Sequence, residues 1–138
     1  MSIRVRAGKS LGLIVLVFEG VVTEEEFERQ LGPLIDSPEY TLTPMMLVDM
    51  IGAIRGEPST EFIRRYARRI ARNVDDEIQG PAKMAFAAVR DEFFGLGRMY
   101  EMLRAESPVE FAVFRSRDEA EQWLGLPIDY EAQLTDVA

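Results

Sequence analysis

The sequence predicts an α/β fold on a mixed, mainly parallel sheet, and three observations carry that prediction. Residues 82–89 (AKMAFAAV) are apolar on both alternating sets, Met84, Phe86 and Ala88 against Ala85, Ala87 and Val89, the pattern of a strand covered on both faces. Residues 109–114 (VEFAVF) repeat it, with Val109, Phe111 and Val113 against Ala112 and Phe114. The segment between them, DEFFGLGRMYEMLRAE, is helix-length, and a helix joining two such strands implies a right-handed crossover and parallel pairing.

The other elements follow in order. Residues 2–7 alternate Ile3 and Val5 with Arg4 and Arg6, so one face is buried and one is wet. Gly8, Lys9 and Ser10 supply a turn into residues 11–18, apolar on both sets, which predicts a hairpin with the charged first strand at an edge. Thr23 caps the first helix, Glu26 completes a capping box, and Val22 staples onto Phe27. Phe27, Leu31, Leu34 and Ile35 should face the core, while Gly32-Pro33 should kink or end the helix because proline removes a backbone donor. Residues 37–42 read as loop. Residues 45–50 read as the third strand, with 52–58 as a flexible connection at its carboxyl end, the edge where open α/β sheets bind ligands.

Ser59 or Thr60 starts a second helix with an apolar stripe of Phe62, Ile63, Tyr66, Ala67, Ile70 and Ala71. Its other face is arginine. Residues 55–72 hold six arginines against two glutamates, a local +4 that leaves −12 on the remainder of a chain whose net charge is −8. Asp75, Asp76 and Glu77 follow, and Gln79-Gly80-Pro81 turns the chain into the strand at 82. Asp91 is the expected cap of the third helix, and Ser116 with Glu119 forms a capping box for the fourth. On the third helix Phe93, Leu96, Met99, Tyr100 and Leu103 cluster as core, Phe94 and Met102 fall on the opposite side near Arg98 and Ala105, and Gly95 and Gly97 read as close helix packing. Trp123 beside Leu124 reads as core. The expected division is one domain over 1–126 and an irregular tail over 127–138.

Composition narrows the function. A length of 138 residues with 47% hydrophobic content suits one domain with a real core. The acidic balance argues for a soluble protein and against a nucleic-acid binder, since phosphate contacts need concentrated positive charge. The apolar run at 11–18 is far short of the roughly 20 residues that cross a bilayer, and it leads into Glu19 and an acidic helix rather than a cleavage site, so the expected location is the cytoplasm. With no cysteine and no histidine there is no thiolate, disulfide, Ser-His-Asp triad or imidazole ligand for zinc. Carboxylate, lysine or tyrosine chemistry remains, and no pair of acids is placed to perform it. The expectation is no catalytic residue, no metal, no cofactor and no enzyme.

Residues 94–101 (FGLGRMYE), with 108–114 (PVEFAVF) and 118–124 (DEAEQWL), resemble the small bacterial STAS/SpoIIAA-like family, structurally related to CRAL-TRIO domains. The element order agrees over nearly the whole chain, and the sequence likeness is concentrated in 82–126. The resemblance implies a SpoIIAA-like βα superhelix with an about five-stranded mixed sheet, an antiparallel edge strand and about four helices lying on one side. It also implies regulatory protein binding, since the anti-sigma-factor antagonists of the wider family bind a kinase and are phosphorylated on serine in an Asp-Ser motif at the helix after the third strand. Met46, Leu47, Val48 and Asp49 fit that strand, but the motif is absent. Ser59, followed by Thr60, occupies a comparable helix start. Extra helices that build the lipid cavity of larger relatives are also absent.

Two sets of candidate residues result. Asp49, Arg55, Arg90 and Arg115, with Ser59, fall at or beyond strand ends or at a helix start and would hold a small anionic or lipid-like ligand; the alternative is solvated loop arginines and a capping aspartate. Arg64, Arg65, Arg68 and Arg69, with Phe94 and Met102, would bind a protein partner or a second copy in a homodimer; the alternative is a solvated helix face and a patch covered by the tail. The leading expectation is a non-enzymatic regulatory or interaction module, the second a small-ligand binder. If all helices lie on one side, the second face of the sheet needs cover from a partner subunit, the first helix or the tail.

Overall fold

The computed structural model describes residues 2–37, 43–56, 59–73, 75–78 and 80–137. Most of the loop expected at 37–42, the Glu57-Pro58 end of the expected connection and Gln79 of the expected turn lie outside the described residues. The chain runs β1 (Ile3–Gly8), β2 (Leu13–Val22), α1 (Glu24–Ile35), β3 (Met45–Gly56), α2 (Thr60–Asn73), β4 (Ala82–Ala87), α3 (Asp91–Leu103), β5 (Val109–Phe114), α4 (Arg117–Leu124) and β6 (Thr135–Asp136), with 3-10 turns at Lys9–Leu11, Asp75–Glu77 and Tyr130–Gln133. The described strands form one sheet in the order β5-β4-β3-β2-β1-β6. β2 through β5 are parallel, and β1 is antiparallel to both β2 and β6. The α/β class, the hairpin and an antiparallel strand on that side of the sheet are as the sequence predicts, but β1 is not itself the edge, since β6 pairs outside it. The sixth strand is not predicted.

That strand comes from the tail. Thr135 and Asp136 pair with Ala7 and Arg6, the Val137 amide donates to the Val5 carbonyl at 2.9 Å, and Arg6 Nε lies 3.3 Å from Asp136 Oδ1. At the hairpin, Gly12 has φ +64°, and a Cβ there would lie 2.8 Å from Pro44 Cγ, so this position needs glycine for conformation and for space.

β3 also departs from expectation. It does not end at Met50: Gly52, Ala53, Arg55 and Gly56 pair with Glu19 through Val22 across two register shifts, so the expected flexible connection is strand as far as Gly56. Ala53 and Val22 are both buried against the helices, which anchors this extension. α1 passes through Pro33 to Ile35, because Pro33 lies on the exposed side while Leu34 and Ile35 on the following positions are buried and hold the last turn.

Two caps form as read. Thr23 Oγ1 accepts from the Glu26 amide at 3.1 Å, although the Glu26 carboxylate accepts from the Ser2 amide, tying β1 to α1; Ser116 Oγ accepts from the Glu119 amide at 3.2 Å. α3 differs: its cap position is Arg90, with no side-chain bond, and Asp91 is inside the helix, paired with Arg115.

The helices occupy both faces of the sheet, not one. α1, α2 and α3 pack on the face that presents Leu16, Phe18, Val48 and Phe86. Ala120 and Leu124 of α4, with Tyr130 and Leu134 of the tail, cover the opposite face at Leu13, Val15, Leu47 and Ala85. The second apolar face is therefore closed from within, by α4 and the tail. Trp123 packs partly buried in this second cluster, and Gly97 brings α3 against β5, a Cβ there falling 3.2 Å from Val113. Gly95 has open space around it and Leu103 is exposed, so neither has its expected packing role.

Candidate functional site

Asp49 sits where β4 stops pairing with β3, and its side chain is only 10% exposed on the α4 side. Oδ1 accepts from the Ile51 amide at 2.9 Å, and Oδ2 accepts from Arg117 Nη1 at 2.7 Å. Arg117, the first residue of α4, also donates to the Tyr130 hydroxyl at 2.8 Å and to Glu131 Oε1 at 2.7 Å, and its Nε lies 3.3 Å from Glu121 Oε2. Tyr130 in turn donates to Glu121. Burial opposes the guanidinium charge, but the bonds to Tyr130 and Asp49 outweigh it and raise the Arg117 pKa. Burial first, and then the bond to Glu121, raise the Tyr130 pKa, so the phenol stays protonated at neutral pH. Each polar group in this network is occupied by another. It fastens α4 and the tail to the sheet.

The five residues expected to hold a ligand do not converge. Asp49 is committed to Arg117 on one side of the sheet. Ser59 caps α2 on the other, its Oγ accepting from the Phe62 amide at 3.1 Å and its amide donating to Glu24 at 2.9 Å. Arg115 donates to the Val89 carbonyl at 2.9 Å and to Asp91 at 2.8 Å, with its guanidinium carbon 3.8 Å from the Phe94 ring centroid. Arg55 is exposed on the β3 extension and Arg90 is exposed before α3.

The expected patch of Phe94 and Met102 is divided by that same Arg115. Phe94 is half-buried beneath it, while Met102 stands 69% exposed, next to exposed Leu103. The sequence does not reveal the contact because Arg115 arrives from the end of β5.

α2 keeps the arginine face that its sequence spells out. Phe62, Ile63, Tyr66, Ala67 and Ile70 are buried, and Arg64, Arg65, Arg68 and Arg72 are exposed. Arg69 is different: it bridges to α1 through Glu28 at 3.1 Å and Asp36 at 3.2 Å. Burial works against its charge, yet Asp36 and Glu28 raise its pKa. Arg68 lies 3.6 Å from Glu61, both largely exposed, a pair of little energetic weight. Arg64, Arg65 and Arg72 make no ion pair with a described residue. Between this ridge and Glu28 lies an open groove of about 760 Å³.

Two further features were not singled out from the sequence. Arg104, 4% exposed, donates to the Tyr100 hydroxyl at 2.6 Å, to Asp75 and to Ser107 at 3.2 Å, and its guanidinium lies 5.3 Å from the Phe111 ring centroid. Its partners come from three segments, which no local pattern links. An apolar cavity of about 60 Å³ lies between the sheet and α1–α3, lined by side chains including Leu16, Val48, Met50, Ile70 and Phe86. Among the described residues no cluster of acids could hold a metal ion, and no helix is long and apolar enough to cross a membrane.

No protein-family model matches the chain, and no curated protein matches it. Among solved structures it is similar to an uncharacterized protein of the DUF3478 family with a SpoIIAA-like fold from Shewanella loihica PV-4, at a TM-score of 0.52 and 18% identity, covering 81% of this chain and 83% of that one. The chain thus has a SpoIIAA-like fold, in agreement with the resemblance in residues 82–126.

Proposed function

We propose that this protein is a non-enzymatic interaction module that docks an acidic protein partner on the arginine face of α2. The observation that carries the reading is that face: Arg64, Arg65, Arg68 and Arg72 project from a helix whose opposite side is held in the core, on a molecule acidic elsewhere. Such a helix keeps its charges in fixed register, which favours steering and orientation of a complementary partner. The non-enzymatic part is supported by the strand-end network, where Asp49, Glu121 and Tyr130 are taken up by Arg117 and one another. Calorimetric titration with a short oligoglutamate peptide tests the docking: the wild-type chain binds it, more weakly as salt rises, and reversing all four exposed arginines to glutamate removes the binding. A wild-type chain that does not bind at low salt overturns the reading.

A second reading, a site for a lipid-like ligand, rests on the apolar cavity under α1–α3 rather than on the strand-end arginines, and at about 60 Å³ that cavity must widen to admit an acyl chain. Native mass spectrometry of purified protein and thermal shift with medium-chain fatty acids check it. A bound species or a raised Tm supports it, and neither appearing removes it. The homodimer is a separate part of the proposal, supported by the exposed Met102 and Leu103. Sedimentation should show a dimer that Met102→Glu dissociates, and a monomer at high concentration rejects it.

A further inference from the structure

Resting on the docking role of α2, we infer that the partner is an extended, carboxylate-rich segment seated in the groove between α1 and α2, not a surface spread over the whole arginine face. Arg65, Arg68 and Arg72 line one wall of the groove, Glu28 of α1 lies across it, and the edges of the buried Phe62 and Tyr66 rings form its floor. Arg64 is equally exposed on α2 but does not line it. The wall is a helical ridge at i, i+3 and i+7, so its guanidinium groups are spread over roughly 10 Å of helix axis. That span matches about three residues of extended chain, which suits alternate carboxylates on one side of that chain better than one compact anion.

The arginines of the groove are not equivalent. Arg69 is already engaged by Glu28 and Asp36, which makes it a brace between the two helices. Arg65 lies 5.8 Å from the Phe62 ring centroid, an approach that restrains the guanidinium before a partner arrives. Arg65 and Arg72, which pair with no described carboxylate, are the two groups with most to gain from one.

Shape and charge disfavour a lipid surface. A flat anionic bilayer cannot follow a groove, and to approach the ridge it would have to meet exposed Glu25 and Glu28 on α1. Glu25 does not line the groove, and Glu28, which does, is paired with Arg69, so a narrow peptide can reach the wall. Nucleic acid, whose phosphates run far beyond the groove, would meet three wall arginines on a chain that is otherwise acidic.

The test compares Arg64→Glu with the double variant Arg65→Glu, Arg72→Glu in oligoglutamate titrations of the full chain, with circular dichroism verifying each fold. The groove predicts that the double variant weakens binding by roughly tenfold or more, while Arg64→Glu changes it by less than about twofold, because only a seated peptide distinguishes adjacent exposed arginines. Losses in proportion to the number of arginines reversed, the double variant losing about the square of the Arg64→Glu factor, overturn the groove and leave the α2 docking face standing. No binding by wild type overturns both. Co-sedimentation of wild type with phosphatidylglycerol vesicles at physiological salt, without oligoglutamate binding, overturns the peptide in favour of a membrane surface.

Discussion

Arg117 shows how one side chain can decide how an end of the molecule is closed. It holds Asp49 on β3, Tyr130 and Glu131 on the tail, and Glu121 one turn along its own helix. Removing it leaves Asp49 buried without its countercharge, and Arg117→Met is expected to cost about 3–5 kcal/mol in chemical denaturation. Asp49→Asn in the same background should recover part of that loss, because the buried group is then neutral; no recovery would show that Arg117 acts through packing alone. The phenols set the alkaline limit. Burial raises the pKa of Tyr100 and of Tyr130 above the ordinary 10.0, so above that pH the unfolded chain has released protons that the folded chain retains. Stability must therefore fall as pH rises past about 10. Denaturation at stepped pH should show a shallower fall in Tyr130→Phe, and an unchanged slope would contradict the assignment. The sequence does not single out Arg117, because Asp49 lies 68 positions away from it and no periodicity announces the pair.

Elements were legible where a local rule fixes them. Thr23 and Ser116 cap their helices because a hydroxyl at that position meets a free amide within three residues, whatever lies elsewhere. The run in residues 82–89, apolar on both alternating sets, marks a buried parallel strand by a local rule too, although the strand stops at Ala87 and Val89 is exposed. The β3 extension was not legible. Gly52 and Gly56 are turn residues by habit, and they become strand because β2 runs on beside them and Ala53 is buried. The tail was missed because a four-residue 3-10 turn and a two-residue strand are too short to show a period. It nevertheless buries Tyr130 and Leu134, and each full burial of this kind contributes about 1.5–3 kcal/mol. Ending the chain after Leu126 is therefore expected to destabilise it by several kcal/mol and to expose the second face to a hydrophobic dye. A truncated chain with unchanged denaturation midpoint would contradict the role assigned to the tail.

At the scale of the whole molecule, a closed sheet leaves its most distinctive surface on the helix side. α4 and the tail cover one face, while α1–α3 cover the other and turn the arginines of α2 outward. This charge separation could be read from residues 55–72, because an amphipathic helix declares both its faces. The groove beside it could not, since it depends on where α1 lies. Nor could the scattering of the strand-end residues, since Asp49, Arg115 and Ser59 are each claimed by partners distant in sequence. The most direct test of the docking role is an amide chemical-shift titration of the isotope-labelled chain with oligoglutamate. Docking on α2 predicts saturable shifts concentrated in α2 and the neighbouring surface of α1, with β5, α4 and the tail unmoved. Shifts spread evenly over the surface, or centred on the ends of β3 and β4, would contradict it.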